Sequence, residues 1–272
     1  MFTFAVEKLK LPRMIEIELY QTVLLVAGIL NVMMALALFH NNYVYRNYEV
    51  YHRARILTGL CLAVFGIGFV MHYNFQWRTV WPAGATALSV SYFHTGGAMI
   101  SWSHTSLLNP DYLTLTVLVR DTAIVIVGLI SYWTAASCLT LQVFHLSLIV
   151  FFLHILWLSF KFYYTYYTVS RRMAEMQLYE QSDGTQLYSL FPYHHSFLLS
   201  CHLIIGFGIG SIVFTALIPN SVWPYTLLLT VGIAVFIYIF YSLSEYGTVI
   251  DSASSATEEV ALSESSPPDE EA

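Results

Sequence analysis

Residues 122–160 read TAIVIVGLISYWTAASCLTLQVFHLSLIVFFLHILWLSF, 39 consecutive positions without an Asp, Glu, Lys or Arg. A helix crosses a hydrocarbon layer about 30 Å thick in about 20 apolar residues, with every backbone polar group satisfied inside the helix. The stretch is too long for one crossing and too apolar for the surface of a water-soluble fold. It is expected to be two spans, 122–139 and 143–160, parted near Ser137–Gln142.

Working outward, five further segments meet the same test: 19–39, 56–73, 82–103, 197–217 and 224–243. The expected fold is therefore all-α, a polytopic transmembrane helical bundle of about seven spans. Composition agrees. Of 272 residues, 57% are apolar and 10% charged, against about 25% charged in soluble domains, and the mean hydropathy is +0.62. The chain divides into an N-terminal segment (1–18), the bundle (19–246) and an acidic, Ser-rich tail (247–272), expected to be disordered and cytoplasmic because it lacks the apolar area to offset ordering. The N-terminus does not read as a cleavable signal: Glu7, Glu16 and Glu18 mix with Lys8, Lys10 and Arg13, and no small-residue cleavage pattern follows.

Loop charge orients the bundle, because short cytoplasmic loops carry the excess of Lys and Arg. With the N-terminus outside, the inner segments hold Arg46, Arg53, Arg55, Arg120, Lys161, Arg171 and Arg172, and the outer ones Lys8, Lys10, Arg13 and Arg78. The C-terminus then lies inside. A large inner loop, 161–196, is expected to contain a short surface helix over 165–181. The formal charge of −6 is concentrated at one end: seven of the 17 acidic residues lie in the last 22 positions, leaving 10 acidic against 11 basic residues elsewhere. With no basic stripe, nucleic acid is not an expected partner; the lipid bilayer is. Cys61, Cys138 and Cys201 are too few and too scattered for a disulfide framework or a zinc site.

Polar side chains inside a membrane are costly and tend to face the bundle interior, so the histidines draw the most interest. His72, Trp77, Arg78 and His145 fall towards the outer end and are candidate ligand-binding residues: one charge, two imidazoles and an aromatic wall. An interfacial aromatic belt explains much of the same pattern, and Arg78 least. An alternative uses His94, His154, His104 and His202 as axial ligands of b-type haem between facing helices. Against it, His94 to His104 and His145 to His154 are ten and nine residues apart, closer than membrane di-haem proteins generally place two ligands on one helix. No separate metal site is expected. Arg120-Asp121 reads as an interfacial pair or a conformational latch. Gly206, Gly208 and Gly210 spell GxGxG with no preceding strand, which favours close helix packing over dinucleotide binding; Gly66 and Gly68 suggest the same for the second span. No Asp or Glu is expected within a span, which argues against proton-coupled transport and intramembrane hydrolysis, and no lysine in 224–243 argues against a retinal protein.

The order of features resembles the multi-span amino-terminal input regions of bacterial membrane-bound regulators, those with helix-turn-helix or histidine-kinase output domains. The similar pieces are Tyr51-His52-Arg53-Ala54-Arg55-Ile56-Leu57, Ser106-Leu107-Leu108-Asn109-Pro110-Asp111-Tyr112-Leu113-Thr114, and a tyrosine-rich exit from Phe236 to Tyr246. The resemblance implies a non-enzymatic sensory or signalling bundle in a cell membrane, the bacterial cytoplasmic membrane. With about 27 residues after the last span, it implies a free-standing sensor, a partner of a separate output protein at the cytoplasmic loops, or a degenerate relative. A haem redox protein and a small-molecule transporter or membrane-complex subunit are the alternatives.

Overall fold

The computed structural model describes residues 2–138, 141–181, 199–211 and 222–265, with side chains over 14–138, 148–169, 171, 199–211 and 222–247. Among the described residues there is no strand. The helices are α1 (Phe2–His40), α2 (Glu49–Phe75), α3 (Trp77–Val80), α4 (Pro82–Leu108), α5 (Leu115–Cys138), α6 (Leu141–Gln181), α7 (Leu199–Ser211) and α8 (Val222–Ser265), with a short 3-10 turn at Asn41–Tyr45. Five segments are long and apolar enough to cross a membrane: Met14–Tyr45, Glu49–Phe75, Leu115–Cys138, Leu148–Val169 and Val222–Gly247. The chain reads as a multi-pass membrane protein.

The apolar residues are distributed for a lipid environment. In α5, Asp121, Val125, Gly128 and Tyr132 form one buried stripe, while Leu118, Val119, Ile126, Val127 and Ile130 on the other faces are exposed. α6 repeats the pattern: Phe151, His154, Ile155, Leu158 and Phe162 are buried, while Ile149, Leu153, Leu156 and Phe160 face outward. Helical spacing of i, i+3, i+4 and i+7 makes such stripes. Here the outward face is apolar, and lipid supplies its solvent.

α4 is the exception. It is 27 residues long, about 40 Å at 1.5 Å per residue, yet it is not among the five most apolar segments. Residues 84–94 are buried without a break, and the helix packs against α2, α5 and α6. Its neighbours shield it, so it can carry Thr86, Ser89, Ser91, His94, Ser103 and His104 on buried positions. An aromatic centre joins it to the rest: Phe65 of α2 lies 5.3 Å from Phe93 and 4.7 Å from Phe236 of α8, and Phe207 of α7 lies 5.5 Å from both.

α1 and α2 meet through glycine. A Cβ on Gly66 would come within 2.7 Å of the Val32 side chain and 3.1 Å of the Gly28 carbonyl oxygen, so the two backbones approach closely there. Among the described residues, a Cβ at Gly206, Gly208 or Gly210 would meet nothing within 4 Å; the aromatic contact of α7 is made by Phe207.

The break in 122–160 falls where expected, α5 ending at Cys138 and α6 beginning at Leu141. The inner loop expected from residue 161 is different: α6 runs on to Gln181, and the expected surface helix is its continuation. α8 likewise remains helical to Ser265, past residue 247. The turn after α4 uses Asn109, whose Oδ1 accepts the Asp111 N–H at 3.2 Å, and Thr114, whose Oγ1 accepts the Val117 N–H at 3.3 Å and caps α5.

Candidate functional site

Two polar clusters lie inside the bundle. The first is built around Arg78. Gln76 closes α2 in the left-handed region (φ 48°) with its N–H on the His72 carbonyl at 3.1 Å, and the short α3 follows at once. That corner turns Arg78 back onto α4, where it is 7% exposed. Its Nη1 donates to Thr86 Oγ1 at 3.1 Å and its Nη2 to Ser89 Oγ at 3.0 Å. The guanidinium also lies 3.7 Å from the ring centroid of Tyr225 on α8, and the Tyr20 phenol of α1 interacts with it. Four helices therefore converge on one cation.

The hydrogen-bond directions follow from counting protons. Thr86 and Ser89 spend their hydroxyl protons on the Pro82 and Ala85 carbonyls, at 3.0 and 2.9 Å. Ser89 Oγ accepts from the Tyr92 hydroxyl at 3.3 Å as well as from Arg78, and His72 Nε2 lies 3.0 Å from it. Among the described residues, three buried polar atoms of this cluster remain without a partner: Arg78 Nε, His72 Nδ1 and the Tyr225 hydroxyl. No carboxylate pairs with Arg78 among the described residues; the ion pairs are Arg53 with Glu49 and Asp121 with Arg120 and His154. An uncompensated buried ion costs several kcal/mol, and an unmet buried donor adds about 1–3 kcal/mol. The electrostatics favour an anion.

Of the four residues expected at this end, the structure brings His72 and Arg78 together at Ser89. Trp77, which precedes Arg78 in α3, packs its ring with Trp81 at 5.5 Å and Trp133 at 6.0 Å. His145 falls in a part of α6 whose side chains lie outside the described residues. Tyr20, Thr86, Ser89 and Tyr92 were not expected; as hydroxyl residues within apolar helices they carry no signal of direction in the sequence.

The second cluster joins α4, α5 and α6. His94 Nε2 lies 2.8 Å from His154 Nδ1, and the Tyr132 hydroxyl lies 2.9 Å from His94 Nδ1. On the far side, His154 Nε2 is 3.7 Å from Asp121 Oδ1. Asp121 Oδ1 accepts from Arg120 Nε and Nη2, both at 2.7 Å, and Oδ2 accepts the Trp102 indole N–H at 3.0 Å. Gly128 makes room for this: a Cβ there would come within 2.8 Å of His94 Nδ1 and 2.9 Å of the Tyr132 oxygen.

One expectation is corrected here. Asp121 was read as interfacial and its helix as free of acids; α5 begins at Leu115, and the Asp121 side chain is fully buried. Of the four histidines weighed for haem, His94 of α4 and His154 of α6 face each other, 2.8 Å apart. His104 Nδ1 lies 3.1 Å from the Ile100 carbonyl of its own helix. His202 is exposed, its ring 5.3 Å from Tyr163. No group of three His, Cys, Asp or Glu residues suited to a metal ion occurs among the described residues.

The segment Tyr51–Leu57 has a structural role. The Tyr51 hydroxyl donates to the Leu243 carbonyl of α8 at 2.7 Å, and Arg55 donates to Tyr51 Oη and to the Leu38 carbonyl, both at 3.2 Å. Leu38 lies in the last turn of α1, whose carbonyls lack helical partners, so this pair ties three helices at one end. Compared with known proteins, the chain matches no protein-family profile, no curated protein and no solved structure.

Proposed function

We propose that the chain is a non-enzymatic sensory bundle of seven spans, N-terminus outside and C-terminus inside, which recognises a small anionic ligand at the Arg78 cluster. The seven spans are α1, α2, α4, α5, α6, the segment through α7, and α8. Loop charge and the length of α4 support that count and orientation. The observation that carries the ligand reading is the buried Arg78 guanidinium, held by Thr86, Ser89 and Tyr225 with no carboxylate beside it among the described residues. A bound carboxylate or phosphate supplies the missing charge, accepts from Arg78 Nε and Tyr225, and lets α1, α3, α4 and α8 respond together. The extensions of α6 and α8 beyond the bundle are where a separate output protein engages.

The test is the thermal stability of the full chain in neutral lipid nanodiscs with acetate, benzoate or inorganic phosphate. A ligand at about a hundred times its Kd stabilises by about 2.7 kcal/mol. At least one of the three anions is expected to raise Tm saturably in the natural protein and not in Arg78→Gln. No shift with any of them, or the same shift in the variant, refutes an anion site at Arg78.

A further inference from the structure

The cluster between α4, α5 and α6 plays no part in ligand recognition and has a feature of its own. His154 Nε2 is buried, has no hydrogen-bond partner among the described residues, and faces a buried carboxylate oxygen across 3.7 Å. A charge-assisted N–H···O bond closes to about 2.7–2.9 Å, so this gap is open. An open gap fits the tautomer with Nε2 bare. His154 Nδ1–H then donates to His94 Nε2, and His94 Nδ1–H donates to the Tyr132 oxygen, so the two shorter contacts run in one direction.

We propose that His154 and Asp121 bind one proton between them, and that this proton draws α6 onto α5. The step adds one N–H bond at His154 Nε2, and the imidazolium donates to Asp121 Oδ1 with no other bond broken. The proton enters at the Arg120 end, where that side chain is 39% exposed at the surface of the bundle. Closing the gap moves the groups by about 1 Å. Because α6 continues unbroken to Gln181, the shift is transmitted along it, beyond the apolar part of the bundle.

The charges facing the site set the balance. From α5, Asp121 favours the imidazolium and Arg120 opposes it. From α6, Lys161 opposes it at longer range: Lys161 and Arg120 lie 4.8 and 5.6 Å from the same Trp157 ring. From α4 come His94 and the indole of Trp102. Tyr112, in the turn before α5, stays neutral, since burial and the Asp121 carboxylate push its phenol up. Tyr132 closes the row. One carboxylate thus faces two cations: Arg120 holds Oδ1 at 2.7 Å, and the proton on His154 Nε2 closes the 3.7 Å gap to the same atom.

The experiment follows the imidazole 15N signals of the full chain in lipid nanodiscs between about pH 8 and 5, the range of histidine's charge change. The His154 signal is identified by its loss in His154→Gln. It is expected to pass reversibly from neutral to imidazolium, and Asp121→Asn is expected to weaken its proton affinity at least about tenfold, the factor that about 1.4 kcal/mol of lost attraction gives. Tyr132→Phe keeps the carboxylate and the packing but removes the acceptor at the end of the row, and should weaken it by a smaller factor. A His154 signal that stays neutral to the end of the range in the folded natural chain overturns the proposal. So does a titration identical in the natural chain and either folded variant.

Discussion

Replacing Asp121 by Asn tests whether a buried carboxylate organises the α4–α5–α6 junction. Asp121 takes two N–H bonds from Arg120 on Oδ1 and one from Trp102 on Oδ2. An amide has one oxygen, so its NH2 must face either the guanidinium or the indole N–H, donor against donor. A hydrogen bond to a charged group contributes about 1.5–3 kcal/mol, while hydrogen bonds between membrane helices average about 0.6 and reach about 1.7 kcal/mol. The Arg120 side is part-exposed and screened, so we expect Asp121→Asn to cost about 2 kcal/mol. Trp102→Phe removes a single donor and should cost about 0.6–1.7 kcal/mol. In the double variant the amide turns towards the introduced phenyl ring without meeting a donor, and the cost should fall short of the sum by about 1 kcal/mol. Reversible SDS unfolding in bicelles measures all four corners of the cycle. Additivity within about 0.5 kcal/mol would mean that Trp102 and Asp121 are not bonded as described.

Two further outcomes are expected. Gly66→Leu should destabilise by about 1–3 kcal/mol through overpacking against Val32 and Gly28, while Gly208→Leu should change stability little; equal effects in the same unfolding assay would contradict the α1–α2 contact. Reporter fusions after Tyr51 and Asp183 should report the cytoplasm and those after Trp77 and Asn220 the outside, and reversed signals at all four sites would invert the proposed orientation.

Hydropathy located the helices because lipid-facing residues must be apolar whatever they pack on, and Leu118, Ile126 and Ile130 of α5 are of that kind. What hydropathy could not supply was which face turns inward. Asp121 lies one residue before the apolar run that begins at Thr122, so a reading from composition ends the span there. The structure starts α5 six residues earlier, at Leu115, and the carboxylate falls on the stripe with Val125, Gly128 and Tyr132. The pairing of His94 with His154 joins residues 60 apart in sequence, which no local pattern encodes. Arg78 was legible as a charge that a belt explains poorly; its hydroxyl partners were not, because Thr86 and Ser89 resemble any small polar residue of a packed helix. The glycines divided in the same way: GxGxG in α7 has the spacing of a packing motif and meets no neighbour among the described residues, whereas Gly66 meets a neighbouring backbone.

The concealment of α4 has a consequence for how the protein is made. A helix carrying His94 gains less by partitioning into lipid alone, since the partners of that ring, Tyr132 and His154, lie on α5 and α6 and a polar group left unsatisfied in hydrocarbon costs several kcal/mol. On the seven-span reading, it cannot settle in the bilayer as an independent unit at the moment it leaves the ribosome. It has to wait at the protein-conducting channel, or in the interfacial region, until α2 is in place and α5 and α6 have been synthesised to enclose it. The assembly order is then written into the chain: the apolar helices are the first residents, and the polar helix that organises the interior enters only with their company.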